Sequence, residues 1–301
     1  MDEFRSKGGR KAATVAIIAN CILTILNISV GLMSGSYALV SEGAHTLSDV
    51  ATSIIAFAGF RIGQKPADEE HPIGHGRAEA ISGLVIVLFL AMVAYEIISG
   101  AFYKLINPSL ITTPDIYAAL MAIFGIFTNY AISNYIINLG KKINSPAIVA
   151  DGKHQKTDIF SSVAVLIGVI ASNMGYPRLD PIVGLIIGLL ILKTAYEIGK
   201  ENIDNIMGKI PSEDLIKRIE KIANATPQAQ NAHNIKVDYL GSYATVTLHI
   251  EVDGNMTVNE SHIIAHQVQE NIVKTIPIIK LATVHACPIG LEYNHDQEID
   301  E

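Results

Sequence analysis

Two short stretches of the 301-residue chain set an imidazole four residues before a carboxylate: His45 with Asp49 in SEGAHTLSDV, and His154 with Asp158 in DGKHQKTDIF. Residues i and i+4 share one helix face, so each stretch, read as helix, points a nitrogen and an oxygen donor the same way. Two such helices side by side supply four N/O ligands, the number and kind that Zn²⁺ takes tetrahedrally. Both stretches lie in runs apolar enough to span a bilayer. A carboxylate at mid-membrane costs about 2.5–3.5 kcal/mol, and a bound cation is the simplest reason for carrying two. The alternative, a core His packed beside a capped Asp, would have to hold twice at the same spacing.

The composition agrees with a membrane setting. Half of the residues are hydrophobic and only 17% are charged, with a mean hydropathy of +0.35, which indicates a membrane protein with a soluble part attached. The net charge of −7 is uneven: residues 208–301 hold 13 acids and 7 bases, against 16 and 15 in residues 1–207, a balance of −6 against −1. Such acidity disfavours nucleic acid as a partner and favours cations. Cys21 and Cys287 are too few for a disulfide framework.

Six apolar runs follow in order, at about 12–33, 37–62, 78–105, 116–140, 145–174 and 181–196. They read as six membrane spans, and the first is longer than a signal-peptide core and lacks its cleavage pattern. An even number of spans returns the C-terminus to the side of the N-terminus. Arg5, Lys7, Arg10, Lys11, Arg61, Lys65, Arg77, Lys141, Lys142 and Lys200 gather on that side, with little beyond Lys104 and Arg178 opposite. The positive-inside rule therefore makes both termini cytoplasmic. The second and fifth spans run antiparallel, entering near Ser36 and Ser145, and Asp49 and Asp158 lie 13 residues beyond those points. At 1.5 Å per residue that is roughly 20 Å deep, so the two pairs meet at one level. Within the first span Asn20, Thr24, Asn27 and Gly31 share a face suited to helix packing, as do Gly184 and Gly188 in the sixth. Glu42, one turn outward from His45, reads as an interfacial acid, with help to ion exit as the second possibility.

Beyond residue 208 the pattern changes. An amphipathic helix over 212–225, opened by Pro211 and Ser212, two alternating strands over 234–239 and 243–252 joined across Gly241-Ser242, a helix over 257–275 and a strand over 278–286 give the order αββαβ. That order fits a small ferredoxin-like α+β layer. The expected organisation is a six-helix transmembrane domain over 1–207, a cytoplasmic domain over 208–292 rich in potential metal ligands, and an acidic, disordered tail over 293–301. Further potential ligands are Asp68, His71 and His75 in the loop after the second span, where Pro72 and Gly74 rule out regular helix. The soluble domain adds His233, His249, His262, His266, His285 and Cys287, of which His266 reads as surface.

The six spans, the paired His/Asp motifs, the loop KPADEEHPIGHGRAEA and the small C-terminal domain together resemble the cation diffusion facilitator family of divalent-metal exporters, over about residues 10–292. The resemblance implies a homodimer with a transport site between the second and fifth spans of each protomer, exchanging cytoplasmic metal for external protons. His45, Asp49, His154 and Asp158 fall on that family's transport ligands. In the family, His rather than Asp as first ligand is usual in zinc-selective members, and Asn there accompanies manganese. The resemblance further assigns Asp68, His71 and His75 to a peripheral metal site, and His233, His249, His262 and His285 to a cytoplasmic one. Cys287 stands where the family often has Asp. It reads either as a softer, bridging zinc ligand or as a small core residue. Arg77 and Asp204 match positions of a charge interlock across the family's dimer.

Exchange has a physical basis in the residues alone. Histidine titrates near neutrality, burial raises a carboxylate toward it, and metal binding needs the deprotonated forms, so cation and protons compete for one site. The expected function is export of divalent transition-metal cations from the cytoplasm across the cell membrane by alternating access, with Zn²⁺ as first cargo and as regulatory ion, and no organic cofactor. Alternatives are the same mechanism with Fe²⁺, Mn²⁺, Cd²⁺ or Co²⁺, or a membrane-embedded metal sensor. A metalloenzyme is disfavoured, since there is no His-Glu-x-x-His and four protein ligands leave no open position for a reactive water.

Overall fold

The computed structural model describes residues 2–142, 146–208, 213–241 and 243–289. The acidic tail at 293–301, Pro211, Ser212 and the side chains of the basic N-terminal arm lie outside the described residues. The chain forms two compact units: one comprises residues 1–57 and 83–199, the other residues 58–82 and 200–301.

Six long helices occupy the expected positions: α1 (Asp2–Ser34), α2 (Tyr37–Gly63), α3 (Ala78–Ile106), α4 (Ile116–Lys142), α5 (Pro146–Asn173) and α6 (Leu179–Ile206). Among the described residues five are long and apolar enough to cross a membrane. The expectation of six equally apolar runs is corrected at α2. This helix has the length, 27 residues, but Glu42, His45, Asp49 and five Ser and Thr hydroxyls dilute its apolarity. α6 runs about ten residues beyond its expected end at 196, through the charged stretch KENIDNI that hydropathy alone excludes.

Small residues let these helices approach. A side chain at Gly31 of α1 would strike Val40 of α2, and one at Gly152 of α5 would strike Ile137 of α4. Gly184 of α6 lies against Tyr37 and Ser41 of α2, and Gly188 against Ile97 and Ile98 of α3, the close packing their sequence suggested. Asn20 of α1 accepts a hydrogen bond from Gln155 Nε2 of α5 at 2.8 Å. Leu23, Leu39, Leu90, Val165, Ile187 and Ile191 fill the core of this unit. Outward-facing residues such as Ile18, Leu88, Phe127, Phe160 and Leu190 remain exposed, as a lipid-facing surface requires.

The start of α2 is pinned by an acid from α6. Gly35, at φ 74°, ends α1 in the left-handed conformation that glycine adopts freely. Ser36 Oγ then accepts from Leu39 N at 3.2 Å, an N-cap bond, and donates to Asp180 Oδ1 at 2.6 Å. Asp180 Oδ2 accepts from Tyr37 N at 2.6 Å and from Ala38 N at 3.4 Å. A buried carboxylate thus satisfies the orphan amides of α2 and complements its dipole. Tyr37 Oη donates to Ile97 O at 2.8 Å, tying the same turn to α3.

In the second unit α7 (Glu213–Asn224), β1 (Gln230–Leu240), β2 (Tyr243–Val252), α8 (Val258–Thr275) and β3 (Ile279–Pro288) reproduce the expected αββαβ order. β1 and β2 are antiparallel, β2 and β3 parallel, in the order β1-β2-β3. β2 alternates strictly, with Ala244, Val246, Leu248, Ile250 and Val252 buried. These pack against Leu215 and Ile219 of α7 and Ile264, Val268 and Ile272 of α8, so both helices cover one face of the sheet. Thr257 and Glu260 open α8 with a reciprocal capping box. The β1–β2 hairpin also meets the loop after α2. Tyr243 Oη donates to Ile73 O at 3.0 Å, and Arg77 pairs with Asp238 at 2.9 Å.

Replacing Asp180 with Ala leaves three donors without their acceptor, at a cost of about 2–3 kcal/mol for bonds to a charged group. A lowered unfolding midpoint of the detergent-solubilised protein would register it, with Asp180→Asn, which keeps an acceptor oxygen, falling between the two.

Candidate metal-binding sites

The first site forms where α2 and α5 run side by side. His45, Asp49 and Asp158 each offer a ligand atom, and these atoms all lie within 4.8 Å of one another. Zinc–ligand bonds of about 2.0–2.2 Å put tetrahedral donors about 3.4 Å apart, so a modest inward turn of the side chains closes the three around one ion. All three are half-buried. His154, expected as the fourth ligand, is exposed and outside this group. It sits one turn from Asp158 toward the start of α5, within Coulombic reach of Asp49. The two expected pairs therefore meet at one level as three donors plus a neighbouring imidazole.

α2 and α5 also meet beside this group, through contacts that motif reading passed over. Ser161 and Ser162 each donate to Glu42 Oε1 of α2 at 2.9 Å, and Asn129 of α4 donates to Ser162 Oγ at 3.5 Å. Glu42 is only 3% exposed, which corrects its reading as an interfacial acid. The available signal was the Ser-Ser pair one turn past Asp158, matched by an acid one turn before His45 on an antiparallel helix.

The second site is the loop after α2, where Asp68, His71 and His75 have ligand atoms within 4.8 Å of one another. Asp68 Oδ1 accepts from Glu70 N at 3.1 Å and His71 N at 2.7 Å. The His71 backbone N–H above all, with the His71 and His75 side chains, holds the Asp68 carboxyl below its ordinary pKa. The group is therefore an anion ready for a cation. His75 Nδ1 is 3.2 Å from Pro66 O. A carbonyl can only accept, so Nδ1 carries a hydrogen, and Nε2 faces Asp68 Oδ2 at 3.4 Å. An imidazole held by a backbone carbonyl is a recurrent support for a metal ligand. Gly74, at φ 89°, permits the turn between the two histidines.

The third site lies on the sheet face opposite the helices. His233 pairs with His249 across β1 and β2, and His249 with His285 across β2 and β3. The rings follow one another at centroid distances of 5.4 and 4.8 Å. His233, His249 and Cys287 have ligand atoms within 4.8 Å of one another, with His249 Nδ1 3.8 Å from Cys287 Sγ. His233 Nδ1 donates to Asn231 O at 2.8 Å, which leaves Nε2 as the free donor atom. Two imidazole nitrogens and a sulfur suit Zn²⁺. Burial, then the nearby Glu251 charge, pushes the Cys287 thiol up, so it binds as thiolate only by giving up a proton. His285 stacks beside the group without joining it. His262, expected in this site, is not brought to it within one chain. α8 packs through Ile264, Val268 and Ile272, and His262 lies exposed beside His266 at a ring distance of 4.4 Å.

Arg77 pairs with Asp238 inside the chain; Asp204, its expected counterpart, lies near the end of α6.

The chain matches known proteins over most of its length. The cation efflux transmembrane domain matches residues 13–207, and the cytoplasmic domain of cation efflux proteins matches residues 211–289. The chain is 36% identical over 275 residues to an uncharacterized transporter of Methanocaldococcus jannaschii, covering 91% of this chain and 96% of the relative. It is 32% identical over 286 residues to the manganese efflux system protein MneS of Bacillus subtilis, covering 94% and 97%. Among solved structures, the metal-bound C-terminal domain of the CzcD transporter from Thermotoga maritima aligns at 23% identity and a TM-score of 0.27, over 28% of this chain and 100% of its own. Membrane-domain and cytoplasmic-domain matches in tandem, with relatives alike over nearly their full length, make this chain a member of the cation diffusion facilitator family of cation efflux proteins.

Proposed function

We propose that the chain exports a divalent transition-metal cation, Zn²⁺ first, from the cytoplasm in exchange for protons. The observation that carries this is the meeting of His45, Asp49 and Asp158 donors between α2 and α5, inside the segment that matches the cation efflux transmembrane domain. A half-buried set of one imidazole and two carboxylates has no evident use there other than holding a cation. His154 completes the four-ligand site when its side chain turns inward from the adjacent level. Cation binding requires deprotonated ligands, so loading from the cytoplasm expels protons, and protonation from a more acidic exterior releases the ion. Alternating access of the one site to the two sides then couples the gradients.

The basic residues flanking the spans favour cytoplasmic termini. The loop and sheet sites serve as cytoplasmic binding sites, with Zn²⁺ as the regulatory ion. Two copies assemble as a homodimer, a reading supported by the match to the cytoplasmic domain of cation efflux proteins, with Arg77 and Asp204 as the charge interlock. Manganese is the second cargo to test, since a close relative bears the name of a manganese efflux protein; carboxylate oxygen suits Mn²⁺ as imidazole suits Zn²⁺.

Proteoliposomes carrying a pH gradient test the main proposal. Asp49→Ala is expected to cut zinc flux by at least about 100-fold, since even second-shell changes cost metal sites 10–100-fold, while the variant still elutes as the same oligomer. Full flux from that variant would rule out the site, and parallel runs with Zn²⁺ and Mn²⁺ rank the cargoes.

The sheet site yields a separate outcome. Because the Cys287 thiol is pushed up, it stays protonated at neutral pH and must lose that proton to become a ligand. Zinc titration of the whole protein near pH 7 should release about one proton more per chain than Cys287→Ala does. Affinity at that site should rise about tenfold more per pH unit than in the variant. Equal proton release from both proteins would make Cys287 a packing residue.

A further inference from the structure

Glu42 has features that the four-ligand site leaves unexplained. It is 3% exposed, yet only one carboxylate oxygen is satisfied. Oε1 accepts from Ser161 and Ser162 of α5 at 2.9 Å each, while Oε2 is buried with no hydrogen-bond partner among the described residues. A buried unpartnered carboxylate oxygen costs about 1–3 kcal/mol or more, and such an atom marks a place for a ligand. Ser161 Oγ also lies 2.8 Å from Asp158 O. A hydroxyl has one hydrogen, so it can serve the carbonyl or the carboxylate but not both, and its lone pairs are available to a cation.

The antiparallel helices place these groups beside the first site. Ligand atoms of His45, Asp49 and Asp158 lie within 4.8 Å of one another. Glu42 with Ser161 and Ser162 lies about one helical turn further toward the Tyr37 end of α2, within Coulombic reach of both His45 and Asp158.

We propose that Glu42, Ser161 and Ser162 form a second cation position on the transport path, one turn from the His45 and Asp158 level toward the Tyr37 end of α2. This rests on the export function proposed above and names the step after it. The new position is built of oxygen alone, one carboxylate and two neutral hydroxyls, without imidazole. Oxygen sets hold Zn²⁺ less tightly than sites with imidazole nitrogen, and they discriminate less against harder ions such as Mn²⁺. A weaker position beyond the tight one lets the ion move on without being freed into hydrocarbon in a single step. Glu42 is thereby a binding residue for release and not for capture.

Full-length protein in proteoliposomes, with zinc as the probe, tests this through the division between turnover and affinity. Glu42→Gln and the double variant Ser161→Ala/Ser162→Ala are expected to lower kcat for zinc by about tenfold with KM unchanged or lower, the pattern of a lost later interaction. Equilibrium zinc affinity at the first site stays within about twofold. The double variant keeps the carboxylate, so an effect in both separates loss of the position from misfolding of Glu42→Gln. Wild-type turnover in both variants would overturn the proposal, as would a first-site affinity that weakens in step with turnover. Unchanged zinc turnover with altered proton movement would make Glu42 a proton carrier and also overturn it. Absence of flux from the unsubstituted protein would instead overturn the export reading on which this depends.

Discussion

The close approach of α2 and α5 is the constraint that the membrane unit depends on. Donor atoms from the two helices within 4.8 Å require backbones near enough for short Asp and His side chains to meet, and inside a bilayer no water is at hand to fill a gap. Hydrogen bonds from Ser161 and Ser162 to Glu42 cross the same seam beside the donor set. Glycines bring the neighbouring helices in behind it, Gly31 and Gly43 on the α1–α2 side and Gly140 and Gly152 on the α4–α5 side. Asp180 fixes where α2 begins. Van der Waals packing of small residues, with a few interhelical hydrogen bonds, is the expected glue where lipid removes any hydrophobic drive.

Three sites built from similar side chains face different electrostatic settings. The loop carboxylate is exposed and stabilised as an anion by a backbone N–H, with its two histidines on the same turn. The sheet site combines two imidazoles on neighbouring strands with a buried thiol that resists ionisation. Between the membrane helices, two carboxylates and an imidazole come from separate elements, so any relative movement of α2 and α5 opens or closes the donor set. That dependence sets it apart from the other two, whose donors share one loop or one sheet.

Much of this was legible in the chain. Hydrophobic periodicity located the long helices to within a few residues, and the spacing of His45, Asp49 and Asp158 on two antiparallel spans anticipated their meeting. Where local rules yielded, tertiary contacts had overridden them. α6 continues through KENIDNI because helix propensity persists where hydropathy ends. β1 starts at Gln230, four residues earlier than its alternation suggests, because bulges around His233 and left-handed Asn231 and Asn234 break the two-residue period. The burial of Glu42 was hidden because its partners lie about 120 positions away. Likewise, no pattern within one helix could disclose that Asp180 caps another. His262 matched a ligand position by resemblance, yet the apolar stripe of α8 binds the helix to the sheet and leaves that residue outside, a matter of helix rotation that residue type does not encode.

The hairpin contact has a practical implication for anyone dividing the molecule. Tyr243 and Asp238 hold the segment that follows α2, and a side chain at Gly76 would collide with the Leu240 carbonyl. Cutting the chain after α6 to obtain a minimal pore would therefore strip the histidine loop of its support, and the soluble piece alone would bare the hairpin tip that normally seats there. Either half, studied by itself, reports on a surface the intact molecule never shows.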